Sequence, residues 1–317
     1  PIPVRRSRSA ARAVAGSWDT LGAREAIGGT AVAGSHLTPV VGLEEVGAFF
    51  EALWDDYVAM TPRVAKIRAL FEADNETVAN DHVAFRTFDR DPIGLERLER
   101  HVLAMGYRRL EPYHFEEKKL DAWGYVPPDP GLPRIFLSAL RVDALSPAAR
   151  EIIDRLCVAI DPERVGHASV FHAGVLWPMP TWSEYQTLQA ESDYAAWVAA
   201  LGLRANHFTI SVNSLTRPTT LAGVVARVEQ AGYAINASGG KLRGSAAEGL
   251  EQASTLADRV RLQFGDGSEH EIPSCYYEFA LRHPGPDGAL YPGFVAASAD
   301  RIFESTDARN GGGREGV

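Results

Sequence analysis

NDHVAFRTF, residues 80–88, alternates Val83, Phe85 and Thr87 with His82, Ala84 and Arg86. Side chains on a strand point alternately to opposite faces, so one face of this strand is apolar while the other carries an imidazole and a guanidinium. NHFTISVN, residues 206–213, repeats the pattern, with Phe208, Ile210 and Val212 on one face and His207, Thr209 and Ser211 on the other. Two strands that each set a histidine on the face away from the apolar core suggest a duplicated unit.

The flanking sequence extends the duplication. Gly106-Tyr107 follows His82 by 24 residues and Gly232-Tyr233 follows His207 by 25; a Lys-Leu pair recurs at 119–120 and 241–242. After the His82 strand, the spacing predicts a helix over GLERLERHVLAMG and strands at YRRLEPY, FEEKKLDAWGYV and PRIFLSAL. After the His207 strand come a helix over TTLAGVVARVEQAG and strands at YAINAS, GGKLRGS, DRVRLQF and PSCYYEFAL. Helical periodicity also marks LEEVGAFFEALWDDYVAM, PRVAKIRALFEA, SPAAREIIDRLCVAI and TWSEYQTLQAESDYAAWVAALG. Each half reads as a βαβββ module that cannot bury both faces of its sheet alone. Pairing two of them gives an α+β fold with a curved, barrel-like mixed sheet and flanking helices. The half-repeats span about residues 78–160 and 203–306 of a catalytic domain at 38–306.

A cavity lined by both histidine faces needs a third ligand to make a mononuclear metal site. Aligning PRIFLSAL with PSCYYEFAL on their prolines sets Ser138 opposite Glu278, with Tyr276 and Glu278 facing inward and Tyr277 and Phe279 toward the helices. His82, His207 and Glu278 then make a two-histidine, one-carboxylate set, the facial triad of non-haem Fe(II) oxygenases, with positions left open for substrate and O2. Each residue also has a plainer reading: strand histidines are commonly hydrogen-bonded core residues, and Glu278 would be solvated on an edge strand. The paired placement of the histidines favours the metal site.

Arg86 lies four residues beyond His82 on the same face, about 13 Å along the strand. It could pair a substrate carboxylate in a bidentate fork, or form a salt bridge at the strand end. The remaining histidines, His36, His101, His114, His167, His172, His270 and His283, lie in loops, at turns, or on faces without partners at ligand spacing. Lys118 and Lys119 read as a solvated strand face. No dinucleotide fingerprint, P-loop, zinc pattern or nucleophile elbow is present.

Composition sets the outer limits. A net charge of −9 without a basic run argues against nucleic acid, and no apolar stretch approaches the roughly 20 residues of a membrane span. Two cysteines, Cys157 and Cys275, fit a reducing compartment such as the cytoplasm. Residues 1–37 hold five arginines against Asp19 and Glu25 and read as a disordered or organelle-targeting extension; residues 307–317 read as a disordered tail.

The strings DHVAFRTF, YHFEEKKLDAWGY, PRIFLSAL, NHFTISVN, IPSCYYEFA and GFVAASADRIFEST together resemble the 2-oxoadipate dioxygenase/decarboxylase family, in a compact form, from about residue 43 to 306. The resemblance implies the vicinal-oxygen-chelate superfold. It also implies an Fe(II) enzyme of lysine catabolism that converts 2-oxoadipate and O2 to 2-hydroxyglutarate and CO2. It carries the iron ligands onto His82, His207 and Glu278, the substrate-carboxylate arginine onto Arg86, and a backbone segment closing over the substrate onto Ala297-Ser298. Longer members have valine where this chain has Ala297, a departure that bears on the substrate more than on the iron. The alternatives are a dioxygenase for another 2-oxo acid or an aromatic ring, and a metal-free module that binds a small molecule.

Overall fold

β1 (Asn80–Phe88) and β5 (Ala205–Ser211), the two histidine strands, lie side by side and antiparallel at the centre of one curled sheet. A computed structural model describes residues 41–73, 78–296 and 306, all within a unit spanning Pro39–Val317. The predicted extension at 1–37, the tail at 307–317, and Ala297 and Ser298 lie outside the described residues.

From β1 the first half continues through α3 (Leu95–Ala104), β2 (Arg108–Phe115), β3 (Leu120–Val126) and β4 (Arg134–Leu140), and β4 returns parallel to β1. The second half runs from β5 through α7 (Leu221–Gln230), β6 (Arg243–Ser245) and β7 (Leu250–Ser254) to β10 (Tyr276–Arg282), which returns parallel to β5. The order across the sheet is β2-β3-β4-β1-β5-β10-β7-β6, two βαβββ modules joined through their first strands as expected.

The convex face is the apolar one. Phe208 and Tyr277 meet Tyr57 and Trp54 of α1 (Leu43–Met60), and Phe279 meets Phe71 of α2 (Arg63–Glu72), with ring centroids 5.1–6.4 Å apart. Helix α1 buries Val46, Phe49, Leu53 and Tyr57, one stripe at three- and four-residue spacing. The segment joining the halves holds α4 (Pro147–Val158), capped by Ser146 with proline in its first turn, and α5 (Trp182–Glu191), opened by a Thr181/Glu184 capping box. The predicted single helix over residues 181–202 is two, because Ser192 ends α5 and caps α6 (Asp193–Leu201). From Tyr194 to Leu201 every residue of α6 is buried, as its apolar circumference requires. Gly202 ends it at φ +74° against the Gly174 carbonyl, where a β-carbon would collide.

The second half departs from expectation in its strands. YAINAS contributes only one bridging pair, Ile235 with Thr255, and DRVRLQF leaves the main sheet to form a hairpin, β8 (Arg259–Gln263) with β9 (Glu269–Pro273). LEQAS takes the place in the sheet, as β7. The two Lys-Leu pairs are not equivalent. Leu120 opens β3 as a buried residue, after a turn that holds Lys119 at φ +58°, whereas Leu242 precedes β6 and is 43% exposed.

Candidate metal centre

The pleat that buries Val83 and Phe208 against the helices turns His82 and His207 into the concavity. In the β1–β5 register His82 faces Thr209 and Ala84 faces His207; in the parallel β5–β10 register Thr209 faces Glu278 and His207 faces Tyr276. The two histidines and Glu278 therefore occupy neighbouring rows on adjacent strands. Their ligand atoms all lie within 4.8 Å of one another, and all three residues are buried. This is the predicted set, and the described residues hold no other such group of three.

The carboxylate bridges the imidazoles, with Oε1 3.3 Å from His82 Nε2 and Oε2 3.3 Å from His207 Nε2. Metal–ligand bonds of roughly 2.1 Å place adjacent ligands of a six-coordinate ion about 3 Å apart, so the spacing suits one. Glu278 Oε2 is buried and accepts no hydrogen bond among the described residues, while Oε1 takes one from the Gln252 amide at 2.6 Å. An acceptor left open between two imidazole nitrogens fits a cation.

The histidines are held from behind by the residues that precede them. His82 Nδ1 meets Asp81 Oδ1 at 2.7 Å, and His207 Nδ1 meets Asn206 Oδ1 at 3.1 Å. Each contact assigns the Nδ1 proton and leaves Nε2 to the ligand side, with Thr209 Oγ1 3.1 Å from His82 Nε2. Only Asp81 is charged, and it is itself clamped by Arg282 through bonds of 2.7 and 2.8 Å. Burial alone would raise the Asp81 carboxyl, but Arg282 and His82 hold it far below its ordinary value.

The imidazoles respond differently. Burial pushes His207 down to about 3 against the pull of Glu278, so it is neutral near pH 7. Burial acts on His82 in the same direction, but Glu278 and Asp81 overcome it and leave the imidazole raised. Burial raises Glu278, and the two imidazoles with the Gln252 amide outweigh that and keep it ionised. A cation binding here needs the His82 Nε2 lone pair, so it competes with protonation of that imidazole.

Arg86 is 2% exposed on the same concave face. Its guanidinium stands 5.1 Å from the rings of both Tyr194 and Trp197 on α6, and it donates to Thr306 Oγ1 at 3.0 Å. Its charge also helps depress His207. The predicted counterpart of Glu278 is corrected by the register. Arg134 and Phe136 face His82 and Ala84 as Tyr276 and Glu278 face His207 and Thr209, so Phe136 holds the equivalent place. Ser138 pairs instead with Arg86, and its hydroxyl donates to the Phe85 carbonyl at 3.0 Å. The proline alignment is two residues out because Pro133 directly precedes β4, whereas Pro273 ends β9 and two more residues come before β10.

Residues beyond the sequence expectation complete the centre. Phe294 crosses the concave face with its ring 5.0 Å from His82 and 4.9 Å from Phe136, over Gly124, whose absent β-carbon would meet that ring at 3.1 Å. Arg282 donates to the carbonyls of Tyr291 and Gly293 at 2.8 and 2.7 Å, and Arg134 to that of Pro292 at 3.1 Å, tying this crossing segment to the rim. Asp81 and Asn206 were visible as polar residues before each histidine. Arg282, four residues past Glu278, repeats the His82–Arg86 interval.

Comparison with known proteins bears on this geometry. Residues 49–285 match the family model for 2-oxoadipate dioxygenase/decarboxylase. A curated relative from Arabidopsis thaliana, the chloroplastic 2-oxoadipate dioxygenase/decarboxylase, is 36% identical over 258 residues, covering 74% of this chain and 69% of that protein. The crystal structure of the Oryza sativa hydroxyglutarate synthase in complex with 2-oxoadipate superimposes with a TM-score of 0.81 at 31% identity, over 88% of this chain and 99% of that one. A Shewanella frigidimarina structure described as a hydrolase gives a TM-score of 0.75 at 44% identity, over 79% and 98%. The architecture is shared with the glyoxalase-like, vicinal-oxygen-chelate group.

Proposed function

The chain belongs to the 2-oxoadipate dioxygenase/decarboxylase family, and from that premise we propose that it oxidatively decarboxylates 2-oxoadipate with O2 to 2-hydroxyglutarate and CO2, using Fe(II) held by His82, His207 and Glu278. The observation that carries the reading is the buried triad of ligand atoms within 4.8 Å on the same concave face as a buried arginine. The reaction needs no external reductant: both oxygen atoms of O2 enter the products as C1 leaves in CO2. Lysine catabolism is the metabolic setting that this reaction implies.

When bound, Fe(II) supplies the O2 and redox chemistry; the chain supplies the position of everything else. Asp81 and Asn206 fix the imidazole tautomers, and Gln252 orients Glu278. Arg86, pre-stacked on Tyr194 and Trp197, offers a planar fork to the carboxylate at the far end of the oxo acid. Selectivity for a diacid follows, because an uncharged tail cannot make the charge-assisted, two-pronged contact that the guanidinium offers a carboxylate. Phe294 excludes water from the His82 side; Ala297 and Ser298, to which the resemblance gives a substrate-binding role, lie outside the described residues. The plant relative is chloroplastic by name; for this chain the cytoplasm and an organelle are both compatible with the reading, and no described helix is long and apolar enough to cross a membrane.

The test is anaerobic loading with Fe(II), then exposure to air with a panel of 2-oxo acids, reading CO2 and hydroxy acid by mass spectrometry. One CO2 and one 2-hydroxyglutarate per 2-oxoadipate is the expected outcome. Turnover of another 2-oxo acid or a catechol in preference would transfer the activity to that substrate, and protein that takes up no stoichiometric Fe(II), Mn(II) or Zn(II) would leave only a binding module.

A further inference from the structure

Tyr276 is a buried residue on the concave face that no step above uses. It opens β10 directly beside His207, and its ring stacks on that imidazole with centroids 4.6 Å apart and planes 27° apart. Its neighbour Tyr277 points the other way, into the aromatic core with Trp54, Tyr57 and Phe279. The Tyr276 side chain is 0% exposed, yet its hydroxyl makes no hydrogen bond among the described residues. A buried hydroxyl without a partner is costly, and such groups persist where a ligand completes them.

The register says where the ligand would be. Ala84 faces His207 across β1–β5, His207 faces Tyr276 across β5–β10, and Arg86 is one pleat beyond Ala84. With strands about 4.8 Å apart and a rise of about 3.4 Å per residue, the Tyr276 and Arg86 backbones are roughly 12 Å apart, with His207 between them. Phenol and guanidinium each reach more than half that span, so they flank one space on the α6 side of His207. The electrostatics agree. After desolvation, Tyr276 is the first influence on the Arg86 guanidinium; the Tyr276 phenol, raised first by burial and then by Glu278, is drawn down by Arg86 and Arg243. An anion in that space meets a neutral donor between two cations.

We propose that the Tyr276 hydroxyl donates a hydrogen bond to the distal carboxylate of the bound 2-oxo diacid, sharing that carboxylate with Arg86. Tyr276 is thereby a substrate-binding residue that selects for the second carboxylate, and the inference rests on the function proposed above. It acts as a neutral phenol throughout, with no change of protonation.

The test is Tyr276→Phe, which keeps the ring on His207 and removes only the oxygen. Metal-loaded protein without O2 is titrated calorimetrically with 2-oxoadipate and with 2-oxohexanoate, which carries a methyl group in place of the distal carboxylate. The expected result is a loss of roughly 10- to 100-fold in 2-oxoadipate affinity, with 2-oxohexanoate affinity within about twofold of wild type. Metal affinity should not change, and the ligand-free variant should melt at or above the wild-type temperature because the orphaned hydroxyl is gone. Equal losses for both acids, or no loss for either, would overturn the inference. So would a variant that melts lower or fails to fold, since the hydroxyl would then have a partner within the protein. Wild-type protein that binds neither acid would instead overturn the proposed function, an outcome read before any variant is made.

Discussion

Replacing Asp81 with asparagine tests whether the buried ion pair behind His82 organises the metal centre. Asp81 is 4% exposed and its carboxylate accepts from Arg282 at 2.7 and 2.8 Å and from His82 Nδ1 at 2.7 Å. Asparagine has the same shape but no charge and one acceptor oxygen, so its amide N–H would face a donor whichever way it turns. Arg282, 2% exposed, would be left as a buried charge without its counter-ion. Breaking such a pair from one side costs about 3–5 kcal/mol. At roughly 2–4 °C per kcal/mol for a chain of this size, the metal-free protein should melt some 6–20 °C lower. Removing the anion that sets the His82 tautomer should further weaken metal binding by roughly 10- to 100-fold. The matched control is Asn206→Ala, which removes a neutral contact of 3.1 Å behind the other histidine. That bond contributes about 1 kcal/mol, corresponding to roughly fivefold in metal affinity. Differential scanning calorimetry of metal-free protein and anaerobic Mn(II) titration read the two effects separately. If Asp81→Asn melts within about 2 °C of wild type and binds metal as the control does, the assignment of Asp81 and Arg282 is refuted.

His207→Ala should reduce bound metal to well below one equivalent while far-ultraviolet circular dichroism stays native, because β5 is held by the buried Phe208 and Ile210; full metal occupancy would remove His207 from the ligand set. Arg86→Leu should lower kcat/KM for 2-oxoadipate by roughly two orders of magnitude, from the loss of charge-assisted bonds of about 1.5–3 kcal/mol each, and should spare metal content and 2-oxohexanoate turnover; equal losses on both acids would make Arg86 a support of the fold. Acid stability follows from Asp81, whose folded carboxyl titrates below its ordinary value of 3.8. Its stabilisation is complete above the unfolded value and is lost as pH falls from there toward the folded one, so the unfolding free energy should decline below about pH 5. Asp81→Asn should flatten that decline, and parallel slopes for variant and wild type would count against the assignment.

The strands that carry the histidines were legible in the sequence because a two-residue period is a local property: Val83, Phe85, Phe208 and Ile210 need a core face, and that need turns His82 and His207 the other way. Glu278 and Arg86 followed from the same parity. The sequence did not reveal β7, because LEQAS has little apolar alternation, or the departure of DRVRLQF into a hairpin, because a strand's pattern does not say which sheet it joins. It misplaced the counterpart of Glu278, since register depends on cross-strand hydrogen bonds rather than on the nearest proline. The contacts that finish the centre belong to tertiary structure alone. Asp81 and Arg282 stand 201 residues apart in the chain, Gln252 reaches Glu278 from a strand paired only in the folded sheet, and Phe294 fits because Gly124 leaves room for its ring. Periodicity records which way each side chain points; which charge meets which is decided only when closing the sheet removes the water that would otherwise have solvated them both.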